Sequence, residues 1–217
     1  MIKFITSIFF FTSVALNAQE PQLKGGLSAY LRENTIYPAY SLQNCIQGTV
    51  SVAFKLNGKG EVYYATVTRG IGTDLDDEAL RLIKLSSGKW EVPQNHDTTS
   101  LVLMPMSFTL RDSDCNQKSK GAIATAIQAY TANEELRNVI LTYYRNKEKG
   151  SADPADEAKI IRLKGDLGID DEYLQSRIET GLKKVNQGDH SGACEDFLFV
   201  KYMGSNKADG LIAKHCN

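Results

Sequence analysis

The sequence predicts an α+β domain, with two helices on a three-stranded antiparallel sheet, followed by an all-α domain. Three runs, residues 46–56, 61–68 and 101–110, alternate apolar and polar side chains or are rich in β-branched and aromatic residues, as strands are. From about residue 116 onward, apolar residues recur instead at helical spacing, and glycines and a proline separate the segments. The pattern therefore changes from strand to helix near the middle of the chain.

The first predicted domain has the element order α-β-β-α-β. A short helix within residues 25–38 ends before Pro38, because the residue before a proline disfavours the helical conformation. The sequence "NGKG" at 57–60 tolerates a tight turn and joins the first two strands into a hairpin. Asp74 is the predicted N-cap of the second helix, and Gly88 ends it.

The third strand is predicted to lie at an edge of the sheet. A strand that returns through a helix after a hairpin most simply pairs with the first strand of that hairpin, which gives the strand order second, first, third. Pro105 has no N–H group to donate, which favours an edge position or a bulge. One side of residues 101–110 is therefore expected to have no neighbouring strand.

The end of the chain is predicted to form two short helices around Gly204. Within residues 188–216 the facing residues are Ala193, Phe197, Val200, Ala208, Leu211 and Ile212. The segment resembles the second helix of a tetratricopeptide-type repeat followed by a capping helix.

The N-terminal residues predict export. Residues 1–18 combine a cation at Lys3 with an apolar run from Phe4 to Leu16 and a small residue at Ala18, the pattern of a secretory signal peptide. The apolar run is shorter than the roughly 20 residues that cross a bilayer. We expect cleavage after Ala18 and no stable membrane span in the mature chain, and an uncleaved anchor is the alternative.

Charge and motifs argue against several functions. The net charge is −1, with 25 basic and 26 acidic residues and no basic stripe that would bind nucleic acid. The "RGIG" turn at 69–72 lacks the glycine spacing of both common phosphate-binding loops, and acidic residues follow it. No nucleophile motif accompanies the three histidines. We therefore expect no enzymatic activity, cofactor, metal or small-molecule substrate.

Two of the four cysteines flank the predicted sheet. An exported chain meets an oxidising environment, in which cysteines pair. Cys45 opens the first strand and Cys115 follows the third, and these strand ends are neighbours in the predicted strand order. We expect a disulfide between them, with two free buried thiols as the alternative.

The other two cysteines lie in the helical segment. Cys194 and Cys216 are expected to form a disulfide that joins two antiparallel helices. His190 and His215 lie in the same segment, so zinc held by these four residues is the alternative. Oxidation outside the cytoplasm favours the disulfide.

The run from residue 25 to residue 110 resembles the C-terminal domain of TonB-family proteins. The matching features are "YP" at 37–38, "IQGTVSVAFKLNGKGEV" at 46–62, "VTRGIGTDLDDEALRLI" at 67–83, Trp90 and "PMSF" at 105–108. The resemblance implies a periplasmic interaction module with two helices on a three-stranded antiparallel sheet. In TonB proper, a short segment of an outer-membrane receptor adds as a strand beside the last strand of this domain.

The resemblance and the predicted free edge together place a partner-binding strand at the end of the first domain. It comprises Leu101, Val102, Leu103, Met104, Pro105, Met106, Ser107 and Phe108. An unpaired edge can recruit an extended segment of another chain by β-augmentation. The expected partner is a protein or peptide, such as a TonB-dependent outer-membrane receptor. Alternatively, Pro105 or the helical half blocks this edge. Trp90 is expected to anchor the core, and Tyr37, Gly48 and Gly70 to serve the fold.

The sequence also departs from the family pattern. A TonB energy transducer keeps an N-terminal membrane helix, which meets the ExbB and ExbD motor, and a long proline-rich segment, whereas this chain has five prolines. We therefore expect an exported, soluble periplasmic module at 19–112 with a helical domain at 116–217. Two alternatives are an energy transducer for outer-membrane transport that is anchored by residues 1–18, and an envelope assembly component that binds through its helical half.

Overall fold

A computed structural model describes residues 20–110 and 115–216 of the chain. The strands are β1 (Gln22–Leu23), β2 (Gly48–Leu56), β3 (Val62–Arg69), β4 (Trp90–Glu91) and β5 (Val102–Phe108). The main sheet has the order β3-β2-β5, and β2 is antiparallel to both neighbours, as predicted. A separate antiparallel ladder joins β1 to β4. The predicted signal peptide at 1–18 lies outside the described residues.

Helices make up most of the remaining structure. They are α1 (Leu27–Asn34), α2 (Ala39–Gln43), α3 (Asp74–Leu85), α4 (Lys120–Glu148), α5 (Glu157–Asp166), α6 (Asp171–Asn186), α7 (His190–Tyr202) and α8 (Asp209–His215). A mostly helical half thus follows the α+β half, as the sequence predicts. Among the described helices, none combines the length and the apolar composition of a membrane span.

The core of the first half lies between the sheet and its helices. Leu75, Ala79 and Leu82 on α3 are completely buried against the sheet, as the helical spacing predicts. The ring of Trp90 packs on Phe54, with 5.0 Å between the ring centroids, and its Nε1 donates to Ser86 Oγ at 2.8 Å. Trp90 is therefore a core anchor with a satisfied polar group.

The N-cap of α3 differs from the prediction by one residue. Thr73 is the N-cap, and its side chain accepts a hydrogen bond from the Leu75 N–H. Asp74 is the first residue of the helix, and its carboxylate accepts hydrogen bonds from the Ser41 hydroxyl and from the Tyr40 N–H. Asp74 therefore fixes α2 to the start of α3 and does not cap its own helix.

The second core lies among the C-terminal helices. α6 and α7 pack against each other as a helical hairpin, and Ala193, Phe197 and Val200 are fully buried. A Cβ atom at Gly181 would lie 2.4 Å from the Phe197 ring, so this glycine allows α6 to approach α7 closely. The facing residues agree with those predicted, whereas the resemblance to a tetratricopeptide repeat stays a prediction.

Two disulfides connect the predicted pairs of cysteines. The sulfur atoms of Cys45 and Cys115 are 2.07 Å apart, and those of Cys194 and Cys216 are 2.11 Å apart. The first disulfide links the start of the sheet to the segment before α4. The second links α7 to the end of α8, as the sequence predicts for Cys194 and Cys216.

We expect removal of either disulfide to destabilise the protein. A disulfide limits the freedom of the unfolded chain, and the loops span 70 residues for Cys45–Cys115 and 22 for Cys194–Cys216. Paired serine substitutions should therefore lower the free energy of unfolding by about 4 and about 3 kcal/mol, respectively. Urea denaturation of the oxidised proteins measures both effects. An unchanged midpoint for either serine pair would contradict the expectation.

Candidate partner-binding strand edge

β5 has a hydrogen-bonded neighbour on one side. Its residues pair with β2, from Phe108 opposite Gly48 to Val102 opposite Phe54. Within the described ranges, no backbone hydrogen bond joins β5 to a segment other than β2. Helix α4 contacts the first half elsewhere, through bonds from Tyr40 to the Ala126 carbonyl and from Thr131 to the Gly72 carbonyl. The outer side of β5 is an open border in the described part of the molecule.

The predicted partner-binding residues alternate between the two faces of the sheet. Four of them contact the core: Val102, Met104, Met106 and Phe108. The other four face solvent: Leu101, Leu103, Pro105 and Ser107. Leu103 is 64% exposed and Leu101, just before β5, is 55% exposed. The solvent-facing row therefore carries large apolar side chains beside the open border.

The backbone carbonyl of Pro105 points away from β2. Thr68 on β3 donates its hydroxyl to the Ser51 carbonyl at 3.1 Å, so this carbonyl points toward β3. Ser51 is opposite Pro105, and opposite residues in an antiparallel ladder exchange either both hydrogen bonds or none. The backbone of Pro105 therefore faces the open border, where its missing N–H breaks no bond to β2.

The open border presents a defined set of hydrogen-bonding groups. Backbone groups alternate in direction along a strand, so the N–H groups of Leu103 and Ser107 point outward together with the carbonyl of Pro105. Leu110 supports this assignment, because its N–H points the other way and donates to Gln47 Oε1 at 2.7 Å. The border thus has donors on both sides of Pro105 and no donor at Pro105 itself.

The solvent-facing side of the sheet is partly apolar next to this border. Leu103 lies opposite Ala53 on β2, and Lys55 on β2 lies opposite Tyr64 on β3. The Lys55 ammonium lies 5.8 Å from the centre of the Tyr64 ring. A strand added beside β5 would place alternate side chains next to Leu101 and Leu103. This face therefore favours apolar residues at alternate positions of the added strand.

The "RGIG" turn at 69–72 holds a carboxylate of the chain itself. Asp76 accepts hydrogen bonds from the N–H groups of Ile71 at 2.8 Å and Gly72 at 2.9 Å. A Cβ atom at Gly70 would lie 2.1 Å from an Asp76 carboxylate oxygen. The turn amides are occupied, so the turn is a corner that fixes β3 to α3 and not a phosphate site.

Residues 33–110 match the family described as Gram-negative bacterial TonB protein C-terminal. This match supports the TonB C-terminal family for the segment from the end of α1 to the end of β5. Searches of curated proteins and of solved structures gave no match. The helical half lies outside the matched residues.

The matched family suggests a general role for residues 33–110, that of a TonB-like periplasmic interaction domain. TonB-family proteins are periplasmic or envelope-associated, and the C-terminal domain of that family is a non-enzymatic interaction or transport-related unit. It implies protein partners such as outer-membrane receptors. The two disulfides fit an exported protein.

Two residues of the family pattern serve the fold in this TonB C-terminal-like domain. Tyr37 donates its hydroxyl to the Ile46 carbonyl, and its ring packs edge-on against Phe108 at 6.2 Å. Burial raises the pKa of Tyr37 to about 12, so the hydroxyl keeps the proton that it donates even in alkaline solution where an exposed tyrosine ionises. A Cβ atom at Gly48 would lie 2.9 Å from the Ile71 side chain. These residues position β2 and β5 and do not lie on the open border.

Proposed function

We propose that the TonB C-terminal-like domain binds an extended segment of a partner protein by strand addition beside β5. The observation that carries this proposal is the open border, with outward N–H groups at Leu103 and Ser107 and, among the described residues, no segment other than β2 hydrogen-bonded to β5. Backbone hydrogen bonds supply affinity in this binding mode, and side-chain contacts supply selectivity. The exposed Leu101 and Leu103 supply an apolar contact for the added strand.

The proposed partner is a peptide segment of an outer-membrane receptor or of another envelope protein. The proposed location is the periplasm, after removal of residues 1–18. The protein acts by binding, without catalysis or a cofactor, and the helical half provides a second surface. The energy-transducer alternative depends on residues 1–18, which lie outside the described residues.

Ser107→Pro tests the role of the border directly. The substitution removes an outward N–H and leaves the bonds between β5 and β2 in place. Loss of one hydrogen bond, together with the bulk of the ring, should weaken binding of a receptor-plug peptide about tenfold. Isothermal titration calorimetry measures this loss, and amide signals of residues 101–110 should shift on titration of the unsubstituted protein.

Ser107→Ala is the matched control. It removes the hydroxyl that bonds Thr49 Oγ1 at 3.0 Å but keeps the backbone N–H. Peptide affinity should change about twofold or less.

If Ser107→Pro does not fold, Pro105→Ala gives the opposite test, because it adds a donor to the border and should tighten binding. Equal affinities for the Ser107→Pro and Ser107→Ala proteins, or signal shifts confined to the helical half, would contradict the proposal.

A further inference from the structure

The main sheet has a second edge strand, β3, on the side of β2 away from β5. In the described ranges 20–110 and 115–216, no backbone hydrogen bond joins the outer side of β3 to another segment. At the start of the strand, the Val62 N–H donates to Ser87 Oγ at 2.9 Å. Beyond Val62, the outer side of β3, here called the β3 edge, carries backbone groups with which another strand can pair.

Two residues of β3 direct their backbone groups outward. The carbonyl of Ser51 on β2 points toward β3, so Ala53, two residues later, has the same orientation. Ala53 therefore exchanges hydrogen bonds with Thr66, which lies opposite it. The residues on either side of Thr66 face the other way, because backbone direction alternates along a strand. Ala65 and Val67 thus each present an N–H and a carbonyl at the β3 edge.

These two residues are complementary to a second copy of themselves. In an antiparallel arrangement with Thr66 opposite Thr66 of the second copy, Ala65 lies opposite Val67 of the second copy, and Val67 lies opposite Ala65. Opposite residues that face each other exchange two hydrogen bonds, so this symmetric pairing forms four. All four donors are present, because β3 contains no proline.

The side chains beside this ladder form favourable pairs in the same register. Thr66 lies next to its own copy, and Tyr64 lies next to Thr68 of the second copy. Pairs of threonines, and pairs of an aromatic with a β-branched residue, stabilise antiparallel sheets. Tyr63 and Tyr64 are 55% and 46% exposed in the single chain. The second copy therefore covers apolar surface that is otherwise in contact with water.

Opposite charges at the two ends of β3 also meet in this register. Glu61 precedes the strand, Arg69 ends it, and both are exposed. Arg69 of the second copy comes opposite Tyr63 and diagonal to Glu61, within reach of a long side chain. Within the described residues Arg69 forms no ion pair, and Glu61 accepts one hydrogen bond, from Asn57 Nδ2 at 2.6 Å. The charges are therefore complementary, once at each end of the ladder.

The structure limits the length of this ladder. Register shifts between β2 and β3 leave residues 64–67 as the regular part of the strand. The Ser87 hydroxyl occupies the N–H of Val62 just before it. A stable pair of chains therefore depends on the side chains of Tyr63, Tyr64 and Arg69 as well as on the backbone bonds.

The β5 border lacks this self-complementarity. Each contact of a symmetric interface occurs twice, so antiparallel pairing of β5 with its own copy along the strand meets the missing donor of Pro105 twice. A strand of a different protein meets it once. The β3 edge therefore suits a second copy of the chain better than the β5 border does.

We propose that two copies of this chain pair through their β3 edges, with Thr66 opposite Thr66, and form a continuous six-stranded sheet. The two β5 borders then lie at opposite ends of this sheet. The dimer presents two borders at once, so two linked partner segments bind more tightly than one. This interface shares no residue with the proposed partner-binding strand.

A cysteine at position 66 tests both the interface and its register. Thr66 and its copy form a pair without mutual backbone bonds, in which the Cα atoms are about 4.5 Å apart and a disulfide is possible. The Thr66→Cys chain, from residue 19 to residue 217, should form a covalent dimer on air oxidation and return to monomer on reduction. Non-reducing gel electrophoresis measures this.

Thr68→Cys is the matched control on the same strand. Position 68 lies opposite position 64 of the second copy, so two cysteines at 68 would be about 14 Å apart and should not join. Equal crosslinking of the two variants, or no crosslinking of Thr66→Cys, would overturn the proposed register.

Sedimentation of the unsubstituted chain over a concentration series should show a monomer–dimer equilibrium. Ala65→Pro removes one outward N–H from each copy, and thus two of the four bonds, and should weaken dimerisation at least about tenfold. Ala65→Ser keeps the N–H and should change it about twofold or less. A chain that stays monomeric, or a dimer that Ala65→Pro leaves intact, would overturn the proposal.

A charge exchange provides a second test if Ala65→Pro does not fold. Arg69→Glu should weaken dimerisation about tenfold, and adding Glu61→Arg to the same chain should restore it. Absence of this rescue would count against the pairing of the two ends. Ser107→Pro should leave dimerisation unchanged, and Ala65→Pro should leave the affinity for a receptor-plug peptide unchanged. The dimer and the partner-binding border are thereby tested separately.

Discussion

Replacing Arg81 with alanine should lower the free energy of unfolding by about 3–5 kcal/mol. The Arg81 side chain is 9% exposed and contacts Glu78 through Nε and Nη2, both at 2.7 Å. Its Nη1 contacts Asp189 at 3.0 Å. The substitution would leave the buried carboxylates of Glu78 and Asp189 without their cation, and an unpaired buried charge is strongly destabilising.

The same substitution should also loosen the contact between the two halves. Arg81 Nη2 donates to the Asn34 carbonyl at 2.7 Å, and Gln187 Nε2 donates to the same carbonyl at 3.1 Å. Arg81 thus links the end of α1, helix α3 and the turn between α6 and α7. We expect faster amide hydrogen exchange at the start of α7 in the variant, in addition to a lower urea midpoint.

Arg162→Ala is the control for this prediction. Arg162 Nε lies 3.9 Å from Asp166, and both side chains are largely exposed. An exposed pair contributes about 0–1 kcal/mol, so this substitution should change stability very little. If Arg81→Ala were no more destabilising than Arg162→Ala, the buried network would not stabilise the contact between the halves.

Gly60→Ala is the second substitution with a large expected effect. Gly60 has a φ angle of +78°, and a Cβ atom there would lie 2.2 Å from the Trp90 carbonyl oxygen. The left-handed conformation costs about 1–2 kcal/mol for a residue with a side chain, and the overlap adds a further cost of about 1–3 kcal/mol. The clash is with backbone, so no side-chain rotation relieves it. We expect a loss of about 3 kcal/mol in chemical denaturation.

The neighbouring Gly58→Ala is a matched control in the same turn. A Cβ atom at Gly58 would have no other atom within 4 Å, and its φ angle is not in the left-handed region. Its substitution should change the free energy of unfolding by about 0.5 kcal/mol or less. Equal effects of the two substitutions would show that the close approach of Gly60 to Trp90 does not limit stability.

The sequence predicted the main sheet because its pattern is local and regular. Alternation along residues 46–56 and 101–110 identified the strands, and the missing donor of Pro105 favoured an edge. The ladder between β1 and β4 was not predicted, since two residues are too few to show alternation. Helix α2 was also missed, because its five residues give little more than one turn of periodicity.

Tertiary contacts explain the remaining differences. Thr73 and Asp74 are both suitable N-cap residues, and the choice depends on α2, which binds the Asp74 carboxylate. The border residues could be named from the strand pattern, but the contact between the two halves through Arg81 could not. Arg81 and Asp189 are 108 residues apart, and neither belongs to a recognisable motif. Only the packing of α3 against the turn between α6 and α7 brings them together.

Pro105 restricts the register in which a partner strand can pair with the open border. Along a strand edge without proline, the pattern of backbone donors and acceptors repeats every two residues. An added partner strand could therefore shift its register by two residues and form the same hydrogen bonds. Because Pro105 has no N–H group, one register differs from the next. The carbonyl of the added strand that lies opposite Pro105 must accept a hydrogen bond from water or from another group. The possible registers of the added strand therefore differ in free energy, and this single proline helps to select among them.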